Sequence, residues 1–147
     1  MITLRLAVLS DLEAIHDVRR DAILGVKFAT LSQGDLREWA DRRSVEYFTS
    51  RVAANQAVIA LSEANPVGWG SFSGSRVTAL YVRPSASSIG IGRKLMSWLE
   101  ARIKGEGHAS AKLESSPNAV AFYRGLGYLE VGAPDEHGAV PMFRTFA

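Results

Sequence analysis

The chain of 147 residues contains no cysteine. This absence excludes disulfide bonds, thiolate metal sites and a cysteine nucleophile, so no acyl group can be carried on an enzyme thiol. The amino-terminal segment, MITLRLAVLSDLEAIHDVRR, has no apolar run long enough for a signal peptide or a membrane span. We therefore expect a cytoplasmic protein with no membrane partner.

The chain also lacks a large excess of charge of either sign. Its 17 Lys and Arg residues and 15 Asp and Glu residues give a formal net charge of +2, and the two signs alternate along the chain. Because no run of Lys or Arg marks a nucleic-acid-binding arm, we expect no nucleic-acid partner. His16, His108 and His137 lie far apart in the sequence, and no pair has the spacing of metal ligands, so we expect surface histidines and no metal.

The residues that are present are typical of one folded domain, which we expect to span 1–147. Hydrophobic residues make up 47% of the chain and charged residues 22%. Hydrophobic periodicity predicts the order β-α-α-β-β-β-α-β-α-β-β, a mixed α/β domain. Ser10-Asp11-Leu12-Glu13 has the form of a capping box at the first helix, and Gly34 and Ser44 are predicted breaks between short helices at 30–52. Strands are predicted at 2–6, 57–61, 67–72, 76–82, 109–114, 128–131 and 140–146.

The most informative stretch is LYVRPSASSIGIGRKLMSWLE, residues 80–100. An apolar strand leads through a loop into Gly90-Ile91-Gly92, and an amphipathic helix follows. This order places backbone N–H groups at the positive end of a helix dipole, which suits a diphosphate. The segment lacks the Gly-Lys-Ser/Thr of a P-loop, and Leu95 stands where a dinucleotide-binding fold has its third glycine.

A second motif, NAVAFYRGLGY at residues 118–128, closely resembles the later signature of the GNAT acetyltransferase superfamily, Asn followed by A-x-x-F/L-Y-x-x-x-G-F/Y. Gly90-Ile91-Gly92 is similar to the coenzyme A pyrophosphate loop of the same superfamily, and the two motifs stand in the expected order. The resemblance implies a mixed, mostly antiparallel sheet with helices on both faces. It also implies that two central strands splay apart and admit the acyl-CoA.

The resemblance implies acetyl-CoA as the acyl-donor cosubstrate and assigns a set of residues to it. The backbone of Leu80, Tyr81 and Val82 would pair with the pantetheine arm. The residues expected at the pyrophosphate, through N–H groups, a hydroxyl or a nearby positive charge, are Ser87, Ser88, Ile89, Gly90, Ile91, Gly92, Arg93 and Lys94, with Arg83 a further nearby cation. Ser87 and Ser88 stand where the family usually has longer or glycine residues, so we expect weaker cofactor affinity.

The same resemblance implies the catalytic residues. Tyr123 would serve the departing CoA thiolate as an acid or a charge stabiliser; the alternative is that it only packs beside Phe122. Glu114 matches a position where some relatives carry a base, and it can equally be a solvent-facing residue. Asn118 corresponds to an Asn that contacts the cofactor. The alternative is that Ser116 makes this contact while Asn118 only caps the helix.

These residues predict an acetyl-CoA-dependent N-acetyltransferase in which a primary amine attacks the thioester directly in a ternary complex. The acceptor would be a small-molecule or peptide amine, and the resemblance is compatible with a homodimer. One alternative is a non-catalytic acyl-CoA-binding or sensing domain of the same fold, motivated by Ser87 and Ser88. Another is an interaction module that uses a surface containing Trp39 and Tyr47, two residues for which we expect core packing over a place in a substrate pocket.

Overall fold

The computed structural model describes residues 1–28, 30–87 and 89–146. Within these ranges seven strands pair into one sheet, in the order β1-β2-β3-β4-β5-β7-β6. Neighbouring strands are antiparallel except for β4 and β5, which are parallel. The strands are β1 (Ile2–Leu6), β2 (Ala57–Ser62), β3 (Asn65–Ser73), β4 (Arg76–Val82), β5 (Ser110–Ser115), β6 (Leu129–Glu130) and β7 (Val140–Thr145). The predicted mixed, mostly antiparallel sheet is therefore confirmed.

Helices cover both faces of this sheet, as predicted. They are α1 (Leu12–Leu24), α2 (Gln33–Asp41), α3 (Thr49–Ala53), α4 (Ile91–Gly105) and α5 (Val120–Gly125). The side chains of α1 and α3 pack in one cluster with Trp69 of β3, whereas α4 and α5 pack in another with Phe72 of the same strand. Among the described residues, no helix combines the length and apolar character that crossing a membrane would require.

Two glycines allow α4 to approach the sheet closely. A Cβ added to Gly70 would lie 2.9 Å from Leu99 Cδ1 and 3.1 Å from the carbonyl oxygen of Ala79. A Cβ added to Gly68 would lie 3.2 Å from Leu95 Cδ1. The α4 residues that these glycines admit, Leu95 and Leu99, are fully buried. The Gly-x-Gly of β3 thus sets the depth of the helix that begins at the predicted pyrophosphate loop.

Two predicted helix boundaries are wrong. The proposed capping box at Ser10 does not form, because a 3-10 turn at Leu9–Asp11 delays the start of α1 to Leu12. The Asp11 carboxylate instead accepts from the Val8 N–H at 2.8 Å and pairs with Arg5 at 2.7 Å. The bond from Arg5 is the main cause that lowers the pKa of Asp11 below its usual range.

The second wrong boundary is Gly34, which lies inside α2. The start of that helix is specified by a capping box at Ser32, two residues before the predicted break. The Ser32 Oγ accepts from the Asp35 N–H at 3.1 Å, and the Asp35 carboxylate accepts from the Ser32 N–H at 2.9 Å. The break predicted at Ser44 is confirmed, since Ser44 precedes the 3-10 turn at Val45–Phe48.

Strands β4 and β5 part soon after they meet. Their register contains one pair, Arg76 with Lys112, supported by a 3.0 Å bond from the Lys112 N–H to the Ser75 carbonyl. On its other edge β4 stays paired with β3, and the register shift there leaves Thr78 as an extra residue. A bulge of this kind increases the local strand twist. The bulge follows directly on the last β4–β5 pair and turns β4 away, which confirms the predicted splayed pair.

We predict that Gly70→Ala lowers the free energy of unfolding by about 1–3 kcal/mol, because the new methyl group would overpack the contact between Leu99 and Ala79. Chemical denaturation of the variant measures this loss. Gly105→Ala is the matched control, since a Cβ there meets nothing within 4 Å. It should leave stability unchanged or raise it by up to about 1 kcal/mol. Equal effects of both substitutions would contradict the packing role of Gly70.

Candidate active site

A cleft of about 660 Å³ opens where β4 leaves β5. Strand β4 contributes residues 77–82 to its lining, and β5 contributes Leu113 and Glu114. Tyr123 of α5 and the turn before it complete one side, while the end of α1 and the exposed side of α2 form the opposite wall. This volume lies in the range of small-molecule sites in proteins.

The backbone of β4 provides hydrogen-bonding groups to this cleft. Leu80, Tyr81 and Val82, the predicted pantetheine-binding residues, all line it. Their pairing with β3 uses one edge of the strand only, since Gly68 pairs with Val82 and the parallel pairing to β5 has already ended. Unpaired main-chain donors and acceptors in the middle of a sheet need a partner. An extended ligand that contains amides can supply that partner.

The start of α4 forms the other predicted binding element. Gly90 has φ +81°, in the left-handed region that favours glycine, and α4 begins at Ile91. The Lys94 N–H is the first to bond within the helix, to the Gly90 carbonyl at 3.2 Å, and no described side chain caps the earlier N–H groups. These N–H groups and the helix dipole suit an anion.

Gly92 has a different role from Gly90. A Cβ added to Gly92 would lie 3.1 Å from Phe122 Cζ, so the first turn of α4 packs directly against α5. This contact places the amino-terminal end of α4, with its free N–H groups, beside the helix that carries Tyr123. The two glycines of the motif therefore serve conformation and packing respectively.

The other residues predicted to contact the pyrophosphate differ in how available their side chains are. Ser87 is exposed and its hydroxyl donates to the Pro84 carbonyl at 3.0 Å. Ile89 is exposed, as are Arg93 and Lys94 on the first turn of α4. Ser88 lies outside the described residues. The loop thus offers two exposed cations near the free N–H groups, while the Ser87 hydroxyl proton is used within the loop itself.

Arg83 does not act as the nearby cation that the sequence suggested. Its guanidinium donates to Asp17 at 2.8 Å and Asp21 at 3.1 Å, both on α1, and to the Pro66 carbonyl at 2.8 Å. Because these acceptors neutralise the charge and fix the side chain, Arg83 ties the end of β4 to α1. Its aspartate partners lie more than 60 residues away in sequence, so no local pattern revealed them.

Tyr123 is buried, with 8% of its surface exposed, and it lines the cleft. Its ring meets Phe122 and Tyr128 edge-on, at centroid distances of 5.1 and 5.9 Å. No described residue forms a side-chain hydrogen bond with its hydroxyl, which is not among the fully buried polar atoms left without a partner; the one such atom in the described part of the chain is Trp69 Nε1. Burial, with a smaller effect from nearby Tyr81, raises the pKa of Tyr123 far above its usual value. The phenol is therefore a neutral donor that a ligand can engage.

Tyr128 packs against the ring of Tyr123. Its side chain is fully buried, and its hydroxyl donates to Glu100 of α4 at 2.7 Å. Glu100 also accepts from Arg144 of β7 at 2.9 Å. Burial, and next the bond to Glu100, raises the pKa of Tyr128. Sequence reasoning missed Glu100 and Arg144, because the pair joins elements 44 residues apart.

Glu114, Asn118 and Ser116 all line the cleft. Glu114 lies on the face of β5 opposite to buried Leu113, with 58% of its side chain exposed, and its carboxylate is 3.7 Å from Arg76 Nη1. Asn118 is exposed in a 3-10 turn, Pro117–Ala119, that precedes α5. Ser116 stands before this turn without a capping side-chain bond. The arrangement keeps both candidates for the cofactor contact open.

The opposite wall contains residues that sequence reasoning placed elsewhere. Trp39 lines the cleft and is half-buried, so the expectation of simple core packing is incomplete. Tyr47 is 55% exposed and stacks with Arg43, so its expected core position is wrong. His137 also lines the cleft. Among the described residues no group of three or more potential ligands could hold a metal ion.

The sequence model of the family described as "Acetyltransferase (GNAT) domain" matches residues 27–144. The chain belongs to this family. The match covers α2, the splayed strands and both motifs, and it begins after α1. A comparison with curated protein sequences finds no match.

Solved GNAT structures share the fold over nearly the whole chain. A GCN5-related N-acetyltransferase from Rhodopseudomonas palustris is 23% identical with a TM-score of 0.87, covering 98% of this chain and 95% of that one. The PaiA N-acetyltransferase of Thermoplasma acidophilum, in complex with coenzyme A, is 18% identical with a TM-score of 0.85 and covers 99% of each chain. A phosphinothricin acetyltransferase from Sinorhizobium meliloti, in complex with acetyl-CoA, is 25% identical with a TM-score of 0.73, covering 99% and 89%.

The buried phenols predict an alkaline loss of stability. The raised pKa values of Tyr123 and Tyr128 mean that the folded state holds both protons more tightly than the unfolded chain does. The stability they contribute is intact below about pH 10 and declines as the pH rises above that value. Denaturation midpoints from about pH 8 to about pH 11 should therefore fall more steeply for the wild type than for Tyr123→Phe/Tyr128→Phe. Tyr47→Phe, at an exposed ring, should follow the wild type.

Proposed function

We propose that this GNAT protein transfers the acetyl group of acetyl-CoA to a primary amine by direct attack in a ternary complex. The observation that carries the proposal is the buried, neutral phenol of Tyr123, which lines the cleft between the splayed strands and whose hydroxyl is bonded to no described residue. The coenzyme A of the Thermoplasma acidophilum structure and the acetyl-CoA of the Sinorhizobium meliloti structure support the cofactor assignment.

The two ends of acetyl-CoA fit two elements of the cleft. The pyrophosphate would accept hydrogen bonds from the N–H groups of Ile91, Gly92 and the preceding loop, with Arg93 and Lys94 adding positive charge. The pantetheine amides would pair with the free edge of β4 at residues 80–82. Asn118 or Ser116 would contact the arm from the opposite side.

The chemistry balances with residues of the cleft. The amine nitrogen forms a bond to the carbonyl carbon, and the bond from that carbon to sulfur breaks. Backbone donors near Val82 would stabilise the negative charge that develops on the carbonyl oxygen. The Tyr123 hydroxyl would donate its proton to the departing thiolate. The amine would lose one proton to Glu114 or to water, and an equivalent proton would return to Tyr123. Since the chain contains no cysteine, no acyl-thiol intermediate forms on the protein.

A non-catalytic acyl-CoA-binding domain is the second candidate. It is favoured by two residues that are not free to contact the pyrophosphate. Arg83 is tied to α1, and Ser87 is bonded within its own loop. Two measurements separate the candidates. Calorimetric titration with acetyl-CoA tests binding, and release of free CoA thiol with a panel of primary amines tests turnover. Binding without turnover on any amine would support the second candidate and contradict the first.

Tyr123→Phe should lower kcat by about a hundredfold, because the departing sulfur loses its donor. The affinity for acetyl-CoA should change little, since the ring keeps its packing against Phe122 and Tyr128. Steady-state kinetics and calorimetry measure the two effects. Tyr47→Phe removes the hydroxyl of an exposed residue that does not line the cleft, and it serves as the control. An unchanged kcat in Tyr123→Phe would remove Tyr123 from the mechanism.

Glu114→Gln should lower kcat/KM by about tenfold near pH 7, if Glu114 accepts the proton of the amine. The deficit should shrink as the pH approaches about 10, where an alkylammonium loses its proton without help. The pH profile of kcat/KM is the measurement, with Glu106→Gln on the exposed end of α4 as the control. A deficit that is constant across pH would show that Glu114 is not the base.

A further inference from the structure

We infer that the acceptor of this acetyltransferase carries at least two positive charges, as a linear diamine or polyamine does, and carries no carboxylate. The inference rests on the proposed function and names the substrate class of the same cleft. It follows from the charges on the side of the cleft away from α4, from the apolar residues between those charges and Tyr123, and from the position of the Tyr123 hydroxyl.

Negative charge is concentrated around the cleft. The described lining residues include four carboxylates, Asp35, Glu38, Glu114 and Glu136, and one full cation, Arg42. Of the carboxylates, Glu114 is paired with Arg76 outside the lining at 3.7 Å, which leaves three on the acceptor side. The chain as a whole has a formal charge of +2, so this excess is local to the cleft. The backbone N–H of Ser32 lowers the pKa of Asp35, which keeps that carboxylate ionised. Glu38 has no ion pair among the described residues.

The charges at the cofactor end have the opposite sign. The free N–H groups of α4, together with exposed Arg93 and Lys94, lie beyond Tyr123 on the side of Phe122 and Gly92. Tyr123 is nine-tenths buried and lines the same cleft, and no described residue accepts a hydrogen bond from its hydroxyl. An anionic thioester therefore fits one end, and the other end favours a cation.

An apolar wall joins the acidic residues to the reaction point. Val26, Leu31, Trp39 and Tyr81 line this part of the cleft. Methylene groups can bury surface here while a distal ammonium reaches the carboxylates. An amino-acid acceptor would instead bring a carboxylate into the same field, where like charges repel.

A matched set of three amines tests the charge requirement. 1,5-Diaminopentane, 1-aminopentane and 5-aminopentanoate share one chain and differ in the distal group, which is cationic, neutral or anionic. We expect kcat/KM for the diamine to exceed that for 1-aminopentane by about tenfold at low salt, and 5-aminopentanoate to be the poorest acceptor. The advantage of the diamine should shrink in about 0.5 M salt, because the carboxylates are exposed to screening.

Substitutions locate the effect on the protein. Glu38→Gln and Glu136→Gln should each lower the ratio of kcat/KM for 1,5-diaminopentane to that for 1-aminopentane, and the double variant should lower it further. Glu106→Gln removes an exposed carboxylate outside the cleft and should leave the ratio unchanged. An unchanged ratio in the double variant would overturn the inference.

The outcomes separate this inference from the proposed function. Turnover of 1-aminopentane or 5-aminopentanoate at a kcat/KM equal to or above that of the diamine would overturn the inference and leave the acetyltransferase activity standing. A lysine-rich peptide acetylated more efficiently than every diamine from three to eight carbons would also overturn it, in favour of a protein acceptor. Acetyl-CoA binding with no turnover on any amine would instead contradict the proposed function.

Discussion

The cleft depends on the point at which β4 stops pairing with β5. A sheet that pairs along its full length leaves no main-chain groups for a ligand, whereas here the pairing ends after Arg76 and Lys112. The extra residue at Thr78 lies just beyond this pair, and its hydroxyl is 2.7 Å from that of Ser71 on β3. The bulge therefore turns β4 while keeping it bound to β3. One irregular residue in the register opens the centre of the sheet.

Strand β4 has lost one neighbouring strand, so contacts on both faces of the sheet must stabilise its position. The structure provides ion pairs and close packing at glycines. On one face Arg83 joins the end of β4 to Asp17 and Asp21 of α1. The end of α1 also packs onto the loop that follows β4, because a Cβ added to Gly25 would overlap Pro84. On the other face α4 packs into the space left by glycines of β3. These contacts hold the free edge of β4 in place without a neighbouring strand.

Helix α4 links the parts of the site to one another. Its first turn offers free N–H groups and packs on Phe122 through Gly92, while its middle holds the Tyr128 hydroxyl through Glu100. The first contact is with α5 itself, and the second holds Tyr128, whose ring packs on Tyr123 of α5. Helix α5 has only six residues and could not position Tyr123 alone. The placement of the phenol relative to the anion site follows from one long, well-packed helix.

The sequence predicted the sheet, its helices and the two motifs, because periodicity and glycine positions are local signals. It did not predict features that join distant residues. The bond between Arg144 and Glu100, the anchoring of Arg83 and the bulge at Thr78 each depend on strand register or on packing between elements. The failed capping box shows the same limit, since Arg5 and Val8 engage Asp11 only after β1 and the 3-10 turn have formed.

The group of carboxylates that line the cleft was not predicted from the sequence, for a related reason. Its carboxylates come from α2, β5 and the loop before β7, and along the chain basic residues offset them. Because these carboxylates are exposed, their individual interactions with a cation are weak and depend on salt. Tyr123 is buried instead, and a hydrogen bond to a buried group has a larger effect. In the proposed mechanism, selection of the acceptor would depend on exposed carboxylates and assistance to the leaving group on a buried phenol, so a change in the charges of the carboxylates would leave the phenol in place.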